Sequence, residues 1–145
     1  MPVFEQVLEK YPQDVKVVFK NFPLRNHKFA MKAAVAALAA ESQGKFWEFH
    51  DLLFENYNKL NDQKIQDIAV TVGLKLEEYE KKKKDPVIQS RVKQDLSDGR
   101  QAGVRGTPTI FINGIRLRDR SLKGFQVAID KQLEKLGKTA TQPSS

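Results

Sequence analysis

The sequence predicts a mixed α/β fold in which a long helical insertion separates a first strand from a β-hairpin. Three observations lead to this prediction. The run Val15–Phe19 is short, apolar and rich in β-branched side chains, which is typical of a buried strand. Two further extended runs, Thr109–Ile112 and Ile115–Arg118, are joined by Asn113-Gly114, the pair preferred in a two-residue type I′ turn. Between the first strand and the hairpin, apolar residues recur at helical spacing.

These elements are expected to form one domain. With 145 residues, the chain has the usual length of a single domain and can bury a substantial core. We expect the domain to cover residues 1–137, with the helical insertion at about 26–103 and a disordered polar tail at 138–145. The sequence shows neither an internal repeat nor an interdomain linker.

Net charge and hydropathy indicate neither nucleic-acid binding nor membrane insertion. Lys and Arg number 25 against 18 Asp and Glu, a net charge of +7, but these charges are scattered. The densest block, Lys81–Pro86, follows acidic residues, as in a solvated helix whose charges complement its dipole. No apolar run approaches the ~20 residues that span a bilayer. The first residues also lack the features of a signal peptide, which leaves a cytosolic chain or the mature form of an exported one.

The absence of cysteine restricts the chemistry of this chain. Without cysteine there is no disulfide, no thiolate metal site and no cysteine nucleophile, so we predict no catalytic residue and no cofactor. The two histidines, His27 and His50, are far apart in sequence, and we interpret them as a surface residue and a semi-buried packing residue. We therefore predict no metal site.

The first helix is predicted over Pro2–Tyr11, where apolar residues recur at helical spacing until Pro12 ends it. Five helices should follow the first strand. An alanine-rich helix, Lys28–Ser42, has small side chains that let a neighbouring backbone approach closely. In the next helix, Lys45–Tyr57, we assign the aromatic stripe that includes Trp47 and Phe54 to core packing.

The remaining helices are predicted from their first and last residues. Asn61-Asp62 starts one that Gly73 ends, Leu74–Lys84 forms a short polar helix, and the last of the insertion begins near Pro86 and runs to Ala102. In the hairpin, Phe111 points away from Ile110 and Ile112, so the first hairpin strand has two apolar faces and is expected to be internal. Ser121 should cap the final helix.

Three stretches of the sequence resemble one family. "VVFKNFPL", "KAAVAALAAESQGKFWEFHDLLFEN" and "GVRGTPTIFINGIRL" are similar, in this order and spacing, to bacterial extracytoplasmic members of the DsbA family of thiol–disulfide oxidoreductases. The resemblance runs along nearly the whole chain. It implies a thioredoxin-like fold with a helical insertion, a periplasmic or extracytoplasmic location, and extended or unfolded proteins as substrates.

The resemblance also assigns a role to Gly106, Thr107 and Pro108. In thioredoxin-fold proteins, this Gly-Thr-Pro element carries a cis peptide bond before the proline, here Thr107–Pro108. It implies that the backbone of Thr107 faces outward, where it pairs with an extended substrate peptide as an added strand. These three residues are therefore the predicted peptide-binding loop.

The chain departs from the family pattern at one essential motif. Family members carry Cys-x-x-Cys at the start of the helix that follows the first core strand, and a sequence like Pro2–Tyr11 lies just downstream of it. The resemblance thus implies that this strand and the cysteine pair would precede Met1, so that the chain as given lacks the first core strand and is catalytically incomplete. We expect the strands left unpaired to destabilise the chain or to favour a homodimer.

Two alternative functions stay open at this point. A non-catalytic member of the fold would bind peptides or partner proteins without redox chemistry. Kappa-type glutathione transferases and hydroxychromene-carboxylate isomerases, which are relatives on the same fold, bind glutathione beside the cis-proline and use a serine near the helix start. This chain has no serine before Ser42, which weighs against the last alternative.

Overall fold

The computed structural model describes residues 2–25 and 27–138 of the chain. It is mostly helical in this range. In chain order the helices and strands are α1 (Pro2–Lys10), α2 (Ala30–Glu41), α3 (Phe46–Glu55), a short 3₁₀ turn (Tyr57–Lys59), α4 (Asp62–Thr71), α5 (Leu76–Lys83), α6 (Pro86–Gln101), β1 (Phe111–Ile112), β2 (Ile115–Arg116) and α7 (Leu122–Lys135). Of the predicted tail at 138–145, residues 139–145 lie outside the described range.

The chain divides into two compact units. The first, here called the terminal unit, combines residues 1–19 with residues 107–145, and contains α1, the β-strands and α7. The second, here called the helical unit, is Lys20–Gly106 and contains α2 to α6. The insertion predicted at about 26–103 lies within the sequence range of this unit, and its bounds stay a prediction.

The alanine-rich helix α2 lies at the centre of the helical unit. It packs against α3, α4, α5 and α6. Ala36, Ala39 and Ala40 are fully buried, and side chains this small let the neighbouring helices approach α2 closely, as the sequence predicts. Larger residues from the surrounding helices fill the space between them, namely Phe49, Leu53, Ile65, Ile68, Leu74 and Tyr79.

The predicted helix starts of the helical unit agree with the structure. The Asn61 side chain accepts a hydrogen bond from the Lys64 N–H, and Asp85 accepts one from Val87. Each bond satisfies a backbone donor that has no partner inside the helix. Pro86 occupies the first turn of α6, where its missing N–H costs no hydrogen bond.

In the terminal unit, α1 packs against α7. Their buried core consists of Val7 from α1, Tyr11 directly after α1, and Phe125, Ile129 and Leu133 from α7. The rings of Phe4 and Phe125 meet edge to face at 5.6 Å. The hydroxyl of Tyr11, a residue with no exposed surface, donates a hydrogen bond of 2.7 Å to Asp130 Oδ1.

The predicted hairpin is present but shorter than expected. Strands β1 and β2 are antiparallel, with Phe111 opposite Arg116 and Ile112 opposite Ile115. The turn residues Asn113 and Gly114 have φ values of 48° and 81°, the positive pair that a type I′ turn requires. One further bond, from the Leu117 N–H to the Ile110 carbonyl (2.8 Å), extends the pairing beyond the two-residue strands.

The predicted strand Val15–Phe19 is wrong. These residues form no strand in the described part of the chain, and Val18 is 63% exposed. The idea that β1 is covered on both faces is also wrong, because Phe111 is 40% exposed. β-Branched residues favour a pleated, partly buried surface, but a strand forms only where a neighbouring strand supplies hydrogen bonds.

The aromatic stripe on α3 is only partly buried. Phe49 and Leu53, four residues apart, face the core, whereas Trp47 and Phe54 are 49% and 58% exposed. The assignment of Trp47 and Phe54 to core packing is therefore wrong. Phe49 and Leu53, four positions apart, lie on the same face of α3, and Trp47 and Phe54 lie outside that face. His50, predicted to be semi-buried, is buried beside them.

Candidate functional site

The predicted peptide-binding loop lies just before the hairpin. Gly106 is half-buried and is the last residue of the helical unit, whereas Thr107 and Pro108 are exposed and belong to the terminal unit. The Thr107–Pro108 peptide bond is cis. Arg120 lies in the segment before α7. Its guanidinium donates a hydrogen bond of 3.3 Å to the Pro108 carbonyl and so links this segment to the loop.

The backbone of Thr107 is free to make new hydrogen bonds. Within residues 2–25 and 27–138, neither its N–H nor its carbonyl takes part in a hydrogen bond. An exposed backbone donor and acceptor on one residue can bind an extended peptide in the same way as a neighbouring strand does. Phe111, three residues after Pro108, is exposed and supplies apolar surface in the same segment.

The start of α7 next to this loop is fixed by local hydrogen bonds. The Asp119 carboxylate accepts a bond from the Ser121 N–H (3.0 Å), and these contacts with Ser121 lower the pKa of Asp119. The Ser121 hydroxyl in turn accepts the N–H of Gly124 (3.1 Å), which confirms Ser121 as the cap of α7. Arg120, between Asp119 and Ser121, therefore lies in a turn that is held by hydrogen bonds.

The titratable groups with clearly shifted pKa values in the helical unit lie in its core. Burial lowers the pKa of His50, and the contact of its Nδ1 with Asp51 (3.3 Å) only partly offsets this effect. Burial also raises the pKa of Tyr79. No group of three or more His, Asp or Glu side chains that could hold a metal ion occurs among the described residues. These features describe a packed core and do not form a catalytic arrangement.

Sequence reasoning missed a cavity in the helical unit. In the helical unit, an open cavity of about 310 Å³ is lined by Arg25, Arg100 and Arg105 together with apolar side chains. The three arginines are separated by up to 80 residues in the sequence, so their charges looked scattered. No sequence pattern brings them together. They meet because α6 and the residues just after it pack against the loop that precedes α2.

Known proteins similar to this chain include one solved structure with a closely related fold. The sequence pattern of the family described as thioredoxin matches residues 2–131. The crystal structure of a thioredoxin-like oxidoreductase from Silicibacter pomeroyi aligns with 92% of this chain and 81% of its own, with a TM-score of 0.71 and 23% sequence identity. At this identity, the similarity concerns the fold alone.

Curated relatives with higher identity are much longer proteins. The Na(+)/H(+) antiporter NhaA 3 of Salinispora tropica is 35% identical over 79% of this chain, and NhaA 1 of Mycolicibacterium vanbaalenii is 34% identical over 77%. This chain spans only 18% and 19% of their lengths. Within the described residues, no helix has the length and apolar character to cross a membrane.

Proposed function

Because this chain belongs to the DsbA-like thioredoxin-fold family, we propose that it is the substrate-binding part of a thiol–disulfide oxidoreductase. The predicted thioredoxin-like fold is confirmed, in a form that is mostly helical with a two-stranded sheet in the described residues. The chain contains no cysteine. Exchange of a disulfide requires an attacking thiolate, so in this proposal the thiols come from outside the sequence given.

The proposed task of this chain is to hold an extended or unfolded polypeptide. The observation that carries the proposal is the exposed Thr107, whose N–H and carbonyl are free of hydrogen bonds among the described residues. A peptide laid along this residue would gain main-chain hydrogen bonds, and the adjacent Phe111 would contact its apolar side chains. A location outside the cytoplasm, where disulfides persist, fits this function and is part of the proposal.

A binding experiment with two variants at one position tests the proposal. The probe is a fluorescently labelled, reduced and alkylated polypeptide, whose binding is followed by fluorescence anisotropy. Thr107→Pro removes the backbone N–H and should weaken binding about tenfold, the loss of ~1.4 kcal/mol expected for a main-chain hydrogen bond. Thr107→Ala keeps the backbone donor and should bind like the wild type.

Circular dichroism of both variants controls for loss of the fold. Equal binding by Thr107→Pro and the wild type would contradict a main-chain role of this residue. Equal weakening by both variants would instead indicate recognition through the threonine side chain. Without added thiols, the chain itself should not reduce insulin, because it has no cysteine.

A further inference from the structure

The arginine-lined cavity of the helical unit combines apolar walls with three positive charges. The apolar part of its lining comes from Phe22, Pro23, Leu24, Leu96 and Val104, and the rest comes from Arg25, Arg100 and Arg105. Its volume of about 310 Å³ is at the lower end of the range for ligand sites. It is large enough for one or two amino-acid side chains.

Buried contacts hold the walls of this cavity in place. The Asp95 carboxylate of α6 is 6% exposed and accepts two hydrogen bonds from Asn21, one from its backbone N–H (3.0 Å) and one from its side-chain amide (2.9 Å). Gly99 leaves room for the Phe22 ring, since a Cβ there would lie 2.8 Å from it. The segment that carries Phe22 is thus fixed to α6 before any ligand binds.

Among the described residues, the three guanidinium groups have no anionic partner. Over residues 2–25 and 27–138, none of them takes part in an ion pair or a side-chain hydrogen bond. By contrast, Arg91 on the same helix α6 is paired with Glu41 at 2.8 Å. Three like charges around one small cavity repel each other, and a bound anion would relieve that repulsion. The planar guanidinium donates two parallel hydrogen bonds to a carboxylate or phosphate.

We propose that this cavity binds the carboxylate of a Glu or Asp side chain, together with a neighbouring apolar side chain, in the substrate polypeptide. The inference rests on the proposed peptide-binding function and names the kind of peptide bound. Arg105 precedes Thr107 by two positions in the sequence, so the cavity wall and the proposed peptide-binding residue belong to one short segment. The apolar walls would contact the apolar side chain next to the Glu or Asp, and the arginines would bind its negatively charged carboxylate.

A pair of labelled peptides tests this preference. Both are extended, C-terminally amidated and alternate apolar with polar residues, and they differ only by Glu or Gln at one position next to a leucine. The wild type should bind the Glu peptide about tenfold more tightly, and added NaCl should reduce the difference. The double variant Arg100→Gln/Arg105→Gln should bind both peptides with the affinity that the wild type has for the Gln peptide. Arg91→Gln removes a positive charge from α6 outside the cavity and should keep most of the preference.

A second measurement separates this inference from the proposed function. NMR signals of the arginine side chains are followed while N-acetyl-leucyl-glutamate amide is added, with inorganic phosphate as a parallel arm. Shifts of the Arg25, Arg100 and Arg105 signals without a shift at Arg91 support the carboxylate site even if longer peptides do not bind at Thr107. The absence of such shifts, equal affinity for the Glu and Gln peptides, or a stronger response to phosphate would overturn the inference.

Discussion

The helical unit packs its helices around one central helix, whereas the terminal unit joins segments from opposite ends of the described chain. In the helical unit, α2 to α6 follow one another directly and surround α2. In the terminal unit, Tyr11 bonds to Asp130, a partner 119 positions away. Helices satisfy their backbone hydrogen bonds internally, but a strand needs a neighbouring strand to supply them. This difference explains why regular structure is extensive in one unit and short in the β-part of the other.

Of the substitutions that compare the two units, Asp95→Ala in the helical unit should lower the free energy of unfolding most. The substitution leaves the N–H and the side-chain amide of buried Asn21 without their acceptor. The free energy of unfolding, measured in urea, should fall by about 3 kcal/mol. Hydrogen exchange should show faster exchange in α6 than in α7 if the two units open separately.

Asp98→Ala on the same helix is the matched control for this change. Asp98 is exposed and accepts one hydrogen bond from Gln94 (2.7 Å), so its loss should cost less than about 0.5 kcal/mol. Similar losses for Asp95→Ala and Asp98→Ala would show that the buried anchor is not special. Equal acceleration of exchange in both units would show that they unfold together.

The second prediction compares one glycine in each unit. A Cβ on Gly124 of α7 would overlap the backbone carbonyl of Asp119, whereas one on Gly99 of α6 would meet the Phe22 ring at 2.8 Å. A ring can rotate away more easily than a backbone. Thermal unfolding should therefore show a loss of about 2 kcal/mol for Gly124→Ala and about 1 kcal/mol for Gly99→Ala. The opposite order would place the more rigid contact in the helical unit.

The third prediction compares a buried tyrosine hydroxyl in each unit. Tyr11→Phe removes the hydrogen bond to Asp130 and should lower the free energy of unfolding by about 1 kcal/mol. The Tyr79 hydroxyl is buried and has no hydrogen-bond partner among the described residues. Tyr79→Phe should therefore cause no loss, or a small gain. A clear loss for Tyr79→Phe in denaturant unfolding would reveal a partner of that hydroxyl.

The smallest expected effect is the pH dependence from His50. Burial lowers the pKa of His50 in the folded state, so the unfolded state binds more protons as the pH falls below its ordinary value of about 6.5. Stability should thus decrease from pH 7 to pH 5.5, with a slope below the limit of about 1.4 kcal/mol per pH unit for one proton. His50→Gln should flatten this slope, while His27→Gln should leave it in place. A slope unchanged in His50→Gln would assign the effect to other groups.

The sequence predicted the parts of the fold that depend on local interactions. The helix starts at Asn61 and Ser121 follow from side chains that cap their own helix, and the start of α6 follows from Pro86. The hairpin turn follows from two residues that tolerate positive φ. Val15–Phe19 shows the limit of such reasoning, since a strand depends on a partner that propensity does not specify. The exposure of Trp47 likewise depends on which helices pack around α3.

For the candidate site, the sequence located a segment but not its surroundings. Gly106, Thr107 and Pro108 were predicted from resemblance, and their role in peptide binding stays a prediction. The arginine-lined cavity arises from tertiary packing alone. A single domain over residues 1–137, a homodimer through unpaired strands and an extracytoplasmic location also stay predictions.

The arrangement of the terminal unit has a consequence during protein synthesis. Helix α1 leaves the ribosome well before its packing partner α7, which starts only at Leu122. At ~5–20 residues per second, α7 follows α1 by about 6–20 seconds. During that interval the helical unit can fold completely, while the apolar face of α1, with Val7 and Tyr11, stays accessible to chaperones and to other nascent chains.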